Sequence, residues 1–384
     1  MIAQRFEIST PPADLELGFG RKPLRYVAAL PSVGIGPNTG VILFMCPWGM
    51  APDDPYCRDA LLPQLADQYD CVAAAPAYFG LNLKRNGSAT LEAAPALGEA
   101  IRRLLGDAVS ALPFEQQLSA LAKAGLTELP KEFAFTVNCF PEYQSFGLMA
   151  ALDCIAVLAD LLRRSPLRRD RLHLFGSSYG GYVACLVLKF MPNTFHVIVE
   201  NSGFVAARPA EMANGEFDVY NWLVIAGLRA PVREASPWTF RDPASRYFAG
   251  PSIMAIRDCT IVEHFASSRS LVHSYHSIED EMIPISEKRQ FWEALAPTAM
   301  VRTAEIGPNM IDGRLFKTLA HGMEASLVGL MGDAMKEVPF TAATAETDFE
   351  RETTRVIRAG DKIYRFRFGG DFSFRAAIEP MPCL

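Results

Sequence analysis

No run of 18 uncharged apolar residues occurs in this 384-residue sequence, so no part of it is expected to cross a bilayer as a helix, and no membrane partner is expected. The opening residues, Met1-Ile-Ala-Gln-Arg-Phe-Glu-Ile-Ser, lack the basic-then-apolar layout of a signal peptide, which makes the cytoplasm the expected location. Positive charge is also scarce: 37 Lys and Arg against 43 Asp and Glu leave a formal net charge of −6, and no basic tail is present. A sequence-independent nucleic-acid binder needs a basic face, so no nucleic-acid partner is expected. The cysteines, Cys46, Cys57, Cys71, Cys139, Cys154, Cys185, Cys259 and Cys383, show no C-x-x-C spacing, and several lie inside apolar runs where cysteine behaves as a small hydrophobe. Free thiols in a reducing compartment are expected, with no disulfide and no zinc. There is no internal repeat, low-complexity run, G-x-G-x-x-G loop or P-loop, and no cofactor is expected.

What is present is apolar material, at 50% hydrophobic and 21% charged residues, enough for one large core in one decorated domain or two. The stretch from Arg171 to Phe190 organises it. Leu172-His-Leu-Phe175 is strand-like, Gly176-Ser177-Ser178-Tyr179-Gly180 is a turn of mostly small residues, and Tyr182 to Phe190 is a helical apolar run in which Lys189 alone is charged. The turn is a G-x-S-x-G pattern, extended by Gly181. In a nucleophile elbow the middle serine sits on a strained strand-to-helix turn, and the glycines two places either side let neighbouring backbones approach. Ser178 is therefore the candidate nucleophile.

In this setting Gly176-Ser-Ser-Tyr-Gly-Gly181 resembles the elbow of the α/β-hydrolase superfamily of serine hydrolases, in its esterase and prolyl-oligopeptidase-like branches. The resemblance covers residues 40–85 and 145–335 and implies an α/β fold: a mostly parallel central sheet flanked by helices. Phe6-Glu-Ile-Ser and Leu24 to Leu30 read as antiparallel strands leading into that sheet. Val41 to Cys46 reads as a strand covered on both faces, a helix is expected over about Arg58 to Gln68, and Cys71 to Ala75 completes a β-α-β unit. Helices are also expected over Ala89–Leu112, Phe114–Gly125, Gly147–Arg164 and Ser286–Leu295.

The resemblance also assigns the remaining site residues. Cys46-Pro47-Trp48-Gly49 ends the strand where this fold places its second oxyanion donor; proline has no N–H, so Trp48 aligns with the donor, alongside Tyr179, the residue after the nucleophile. Asp280, in the loop between the strand Ser270–Ser277 and the helix opened by Ile283-Pro284, takes the place of the triad acid. Glu279 and Glu200 are its rivals, and Ser277 stands where a glycine is usual. His321, in a Gly-flanked loop after the strand Met300–Ile306, takes the place of the general base. His173 and His196 read as satisfied core groups within strands. His273 and His276, three apart on a strand, point to opposite faces and do not suit a shared metal, so no metal site is expected. The order Ser178, Asp280, His321 is the chain order of the α/β-hydrolase triad.

Residues 1–338 are expected to form the hydrolase domain, with excursions at about 78–143 and 204–268 that could act as a cap, and residues 339–384 a small C-terminal antiparallel β meander with turns at Ala359-Gly-Asp and Gly369-Gly-Asp. The arginines of that tail suit solvent, with a homo-oligomer contact or a polyanionic ligand as alternatives. The function implied is hydrolysis of a small-molecule carboxylic ester through an acyl-enzyme, by a Ser-His-Asp triad with a backbone oxyanion hole. Acyl transfer to a sugar or other alcohol, a small peptidase and a non-catalytic hydrolase-fold binding protein are the alternatives; substrate-binding residues are not identifiable from the sequence.

Overall fold

The long apolar runs become the middle strands of one sheet in the computed structural model, which describes residues 3–81, 90–336 and 346–382. Its strands are β1 (Gln4–Ile8), β2 (Leu24–Ala29), β3 (Gly40–Met45), β4 (Cys71–Pro76), β5 (Leu172–Ser177), β6 (Val197–Asn201), β7 (Leu271–Ser277) and β8 (Met300–Ile306). They lie side by side in the order β1-β2-β4-β3-β5-β6-β7-β8. β1 and β2 join antiparallel, β2 meets β4 antiparallel, and every later pairing is parallel. Every residue of β3 to β7 is buried, as expected for strands covered by helices on both faces, whereas the edge strand β8 exposes Met300. This is the α/β-hydrolase arrangement.

The flanking helices bury one side against the sheet. Helix Leu148–Arg164 is buried along nearly its whole length, and two acids in it are paired: Asp153 with Arg21 at 2.8 Å, and Asp160 accepting from the Tyr26 hydroxyl at 2.6 Å. Helix Leu62–Tyr69 has a proline in its first turn and stops at Asp70, whose φ of 46° is left-handed. The C-terminal strands β9 (Thr354–Ala359), β10 (Lys362–Phe368) and β11 (Phe374–Pro380) form the expected antiparallel three-stranded sheet. Its inward side chains Ile357, Tyr364, Phe366 and Phe368 are buried, and Phe366 stacks on Phe190 at 4.3 Å between ring centroids. Cys383 and Ala89 lie outside the described residues; the other cysteines are buried and form no disulfide among the described residues.

The chain divides into two compact units. One comprises residues 1–81, 145–207 and 250–384, so the C-terminal sheet groups with the main sheet. The other comprises 82–144 and 208–249, drawing both excursions into one body. The smaller unit contains helices Pro95–Leu105 and Phe114–Lys123, shorter than expected, and a four-stranded sheet in the order Thr90–Glu92, Phe135–Asn138, Leu228–Glu234, Asn221–Ile225. Thr90–Glu92, expected as helix, pairs antiparallel with Phe135–Asn138. Leu97, Ile101, Leu118, Phe135, Leu228 and Val232 form this unit's hydrophobic cluster.

Candidate active site

Ser178 sits between β5 and helix Tyr179–Phe190 with φ 52° and ψ −124°, a conformation that costs a non-glycine residue about 1–3 kcal/mol and persists only where the surroundings fix it. The surroundings do so through two glycines. A Cβ on Gly176 would lie 2.2 Å from the Gly180 carbonyl oxygen, and one on Gly180 would lie 2.0 Å from that of Met45. Neither position accepts any other residue without moving backbone. The Ser178 N–H donates to the Asn201 carbonyl at 2.7 Å, tying the turn to the end of β6.

Two further side chains converge on the serine from loops distant in sequence. Ser178 Oγ is 2.8 Å from His321 Nε2, and His321 Nδ1 is 2.8 Å from Asp280 Oδ2. A carboxylate can only accept, so Nδ1 carries the proton and Nε2 presents its lone pair to the hydroxyl. Asp280 is buried; its Oδ1 accepts the N–H groups of Met282 at 2.9 Å and Ile283 at 3.0 Å. Burial alone would raise this carboxyl, but the hydrogen bond and charge of His321, with the Ile283 amide, outweigh it and hold the group below its ordinary value.

The rival acids are elsewhere. Glu279 is exposed. Glu200 is fully buried and engaged below the elbow, with Oε2 2.8 Å from Lys288 Nζ and accepting from Ser274 Oγ at 2.5 Å, and Oε1 accepting the Gly203 N–H. Trp292 Nε1 donates to Ser274 Oγ at 2.7 Å, closing the network.

Trp48 and Tyr179, nominated as oxyanion donors, are held together by their rings, stacked 4.4 Å apart between centroids. Tyr179 opens its helix, so its N–H points out of the helix N-terminus, where the dipole favours developing negative charge. Trp48 lies in a turn closed by Met50 N–H on the Pro47 carbonyl at 3.2 Å, with Gly49 at φ 89°. Phe146 and Phe204 pack on the Trp48 ring, each at 5.5 Å, and the Phe204 ring centroid is 6.4 Å from that of His321.

The other histidines divide differently from the expectation. His173 is buried in β5, but neither ring nitrogen has a hydrogen-bond partner among the described residues, so it is not a satisfied core group; burial pushes it down to about 3. His196 precedes β6 instead of lying within it. His276 donates to the Ile283 carbonyl at 2.8 Å and lies 3.8 Å from Asp280 Oδ2. Among the described residues no group of three His, Cys, Asp or Glu could hold a metal, and no helix is long and apolar enough to cross a membrane.

Sequence reasoning passed over Asn201 and Ser202. Asn201 Nδ2 donates to Ser177 Oγ at 3.1 Å and to the Gly322 carbonyl at 3.4 Å, and Ser202 Oγ accepts the Gly322 N–H at 3.3 Å. The available signal was their place: polar residues at and just beyond the carboxyl end of a buried strand whose neighbour carries the elbow.

The sheet order and the strained serine between β5 and its helix define an α/β-hydrolase fold with a serine at the elbow. The chain belongs to the family described as Protein of unknown function (DUF2920), whose model matches residues 42–375. No curated protein matches the sequence. Among solved structures the chain is similar to an acylaminoacyl peptidase of Pyrococcus horikoshii, at 14% identity over 87% of this chain and 40% of that one, with a TM-score of 0.44. It is similar also to a puromycin-hydrolyzing peptidase of Mycobacterium tuberculosis, at 12% identity over 86% and 37% of the two chains, with a TM-score of 0.42. A third is an arylesterase, at 14% identity over 87% and 84%, with a TM-score of 0.40. The chain spans less than half the length of either peptidase.

Proposed function

We propose that this protein is a serine hydrolase that cleaves a small carboxylic ester through an acyl-enzyme on Ser178. The reading rests on one observation, the continuous hydrogen-bonded path from Ser178 Oγ through His321 to Asp280, at 2.8 Å for each link. A serine hydroxyl is a weak nucleophile at neutral pH and needs this arrangement to react. Oγ attacks the ester carbonyl carbon as its proton passes to His321 Nε2, and Asp280 stabilises the imidazolium through Nδ1–H. The amides of Tyr179 and Trp48 are the proposed donors to the tetrahedral oxyanion, each of a kind whose loss typically costs about 10²–10³ in turnover. Collapse breaks the bond to the leaving alkoxide, which takes the proton from His321 and departs as the alcohol. Water then adds with His321 as base, and the acid product leaves Ser178 free.

A fluorophosphonate probe tests this directly. The wild-type protein is expected to be labelled, Ser178→Ala not, and short acyl esters to turn over with saturation kinetics. No labelling and no ester or amide turnover in a folded preparation would favour a binding protein, and capture of the acyl group by added alcohols or sugars far more efficiently than by water would make it a transferase.

A further inference from the structure

Asn201, at the carboxyl end of β6, bonds both Ser178 and the residue that follows His321. Its carbonyl accepts the Ser178 N–H at 2.7 Å, and its side-chain amide reaches Ser177 Oγ at 3.1 Å and the Gly322 carbonyl at 3.4 Å. The Gly322 oxygen can only accept, so the amide nitrogen faces it, and this fixes the orientation of the side chain. Asn201 is 1% exposed, and its Oδ1 has no partner among the described residues. A buried amide left half-satisfied is costly, so the two bonds made by its nitrogen have to compensate. Ser202, at φ 51°, donates its N–H to the Tyr275 carbonyl at 2.9 Å and accepts the Gly322 N–H on Oγ. The same segment is anchored from below, where Lys288 Nζ donates to the Gly203 carbonyl at 2.9 Å while paired with Glu200.

We propose that Asn201 is a positioning residue that sets the Ser178–His321 hydrogen bond by tethering the histidine loop, at Gly322, to the elbow strand. This rests on the serine-hydrolase reading of the site. His321 lies in a turn region and not in a helix or strand, followed by Met323 and Glu324 at φ 57° and 43°. Through its bonds to Ser177 and Gly322, Asn201 thus cross-links the loop of the base to the strand bearing the nucleophile, and Ser202 holds the same Gly322 at the end of β6. A misplacement of about 1 Å at such a pair can cost on the order of 10²-fold in rate.

The test is Asn201→Asp, which keeps the shape but at neutral pH has no donor and sets a carboxylate against the Gly322 carbonyl. Asn201→Ala serves as the second variant. Both are expected to lose about 10- to 100-fold in kcat with KM within about threefold, and to slow fluorophosphonate labelling in parallel. Ser202→Ala, which removes the acceptor of the Gly322 N–H, is expected to lose less, and it keeps the tether testable if both Asn201 variants fail to fold. A readout independent of turnover is the downfield proton resonance of His321 Nδ1–H, expected to shift or broaden in Asn201→Asp and to stay in place in an exposed-residue control, Arg302→Ala. Folded variants with wild-type kcat and an unmoved resonance overturn the tether. If the wild type neither labels nor hydrolyses, the hydrolase reading fails, and the His321 resonance alone decides the tether.

Discussion

The two units bury different chemistry. In the smaller one the hydrophobic cluster includes Leu97, Ile101, Leu118, Phe135, Leu228 and Val232, side chains whose only demand is exclusion of water. In the larger one the carboxyl ends of β5, β6 and β7 and the loop after β7 bury Ser177, Glu200, Asn201, Ser202, Ser274, His276 and Asp280, each hydrogen-bonded to a specific partner. Burying such groups costs several kcal/mol each unless they are paired, so a fold retains them where they have work that Leu or Val cannot do. The cluster of the smaller unit is apolar side chains packed on one another, whereas the end of the main sheet buries polar side chains with specific partners.

The largest effect should come from breaking the polar end at its centre. Ser178→Ala and His321→Ala are each expected to remove several orders of magnitude of ester turnover, and Asp280→Asn about 10³–10⁴, with the melting transition retained. Steady-state kinetics beside circular-dichroism melts check this; loss through Glu200→Gln instead, at unchanged stability, would move the acid to β6. Glu200→Gln is expected to act on stability: it leaves the fully buried Lys288 without its carboxylate, at a cost of about 3–5 kcal/mol in denaturant unfolding.

The polar end was half legible in the sequence. The elbow is local, so Gly176, Ser178 and Gly180 carry their own signal, and Asp280 and His321 occupy loops recognisable from flanking strands and helices. What separates Asp280 from Glu200 is not local: it depends on Lys288 reaching Glu200 from a helix that starts after Pro284. In the smaller unit the helices announced themselves by apolar spacing, but its hairpin did not. Its turn is Ala226-Gly227 with φ 49° and 87°, an alanine where asparagine or aspartate is usual. Its strand Leu228–Glu234 carries Pro231, paired opposite Trp222, and proline within an apolar run argues against a strand. Tertiary packing overrides both signals there.

The contrast sharpens with an apolar deletion in the smaller unit. Leu118→Ala, fully buried on helix Phe114–Lys123, is expected to cost about 2–5 kcal/mol through lost burial and the cavity left behind. Hydrogen exchange should register this as faster amide exchange in residues 95–138 and 221–234. Uniform protection in those segments would mean the site collapses around the smaller side chain.

The smallest effect expected comes from a histidine buried in the main sheet. His173 is buried in β5 with both ring nitrogens unpartnered among the described residues, and burial holds it down to about 3 from an ordinary value of 6.5. A histidine whose folded value is lowered takes up its proton more readily when unfolded, so it leaves stability untouched above about pH 6.5 and subtracts from it as pH falls towards 3. At pH 5 the subtraction amounts to roughly 2 kcal/mol, from about 1.4 kcal/mol per unit over 1.5 units. His173→Leu has nearly the same volume and no proton to bind, so its unfolding free energy should fall less steeply between pH 7 and 5 than that of the wild type. Equal slopes for the two proteins would mean that the buried imidazole finds a partner in solution, such as an ordered water.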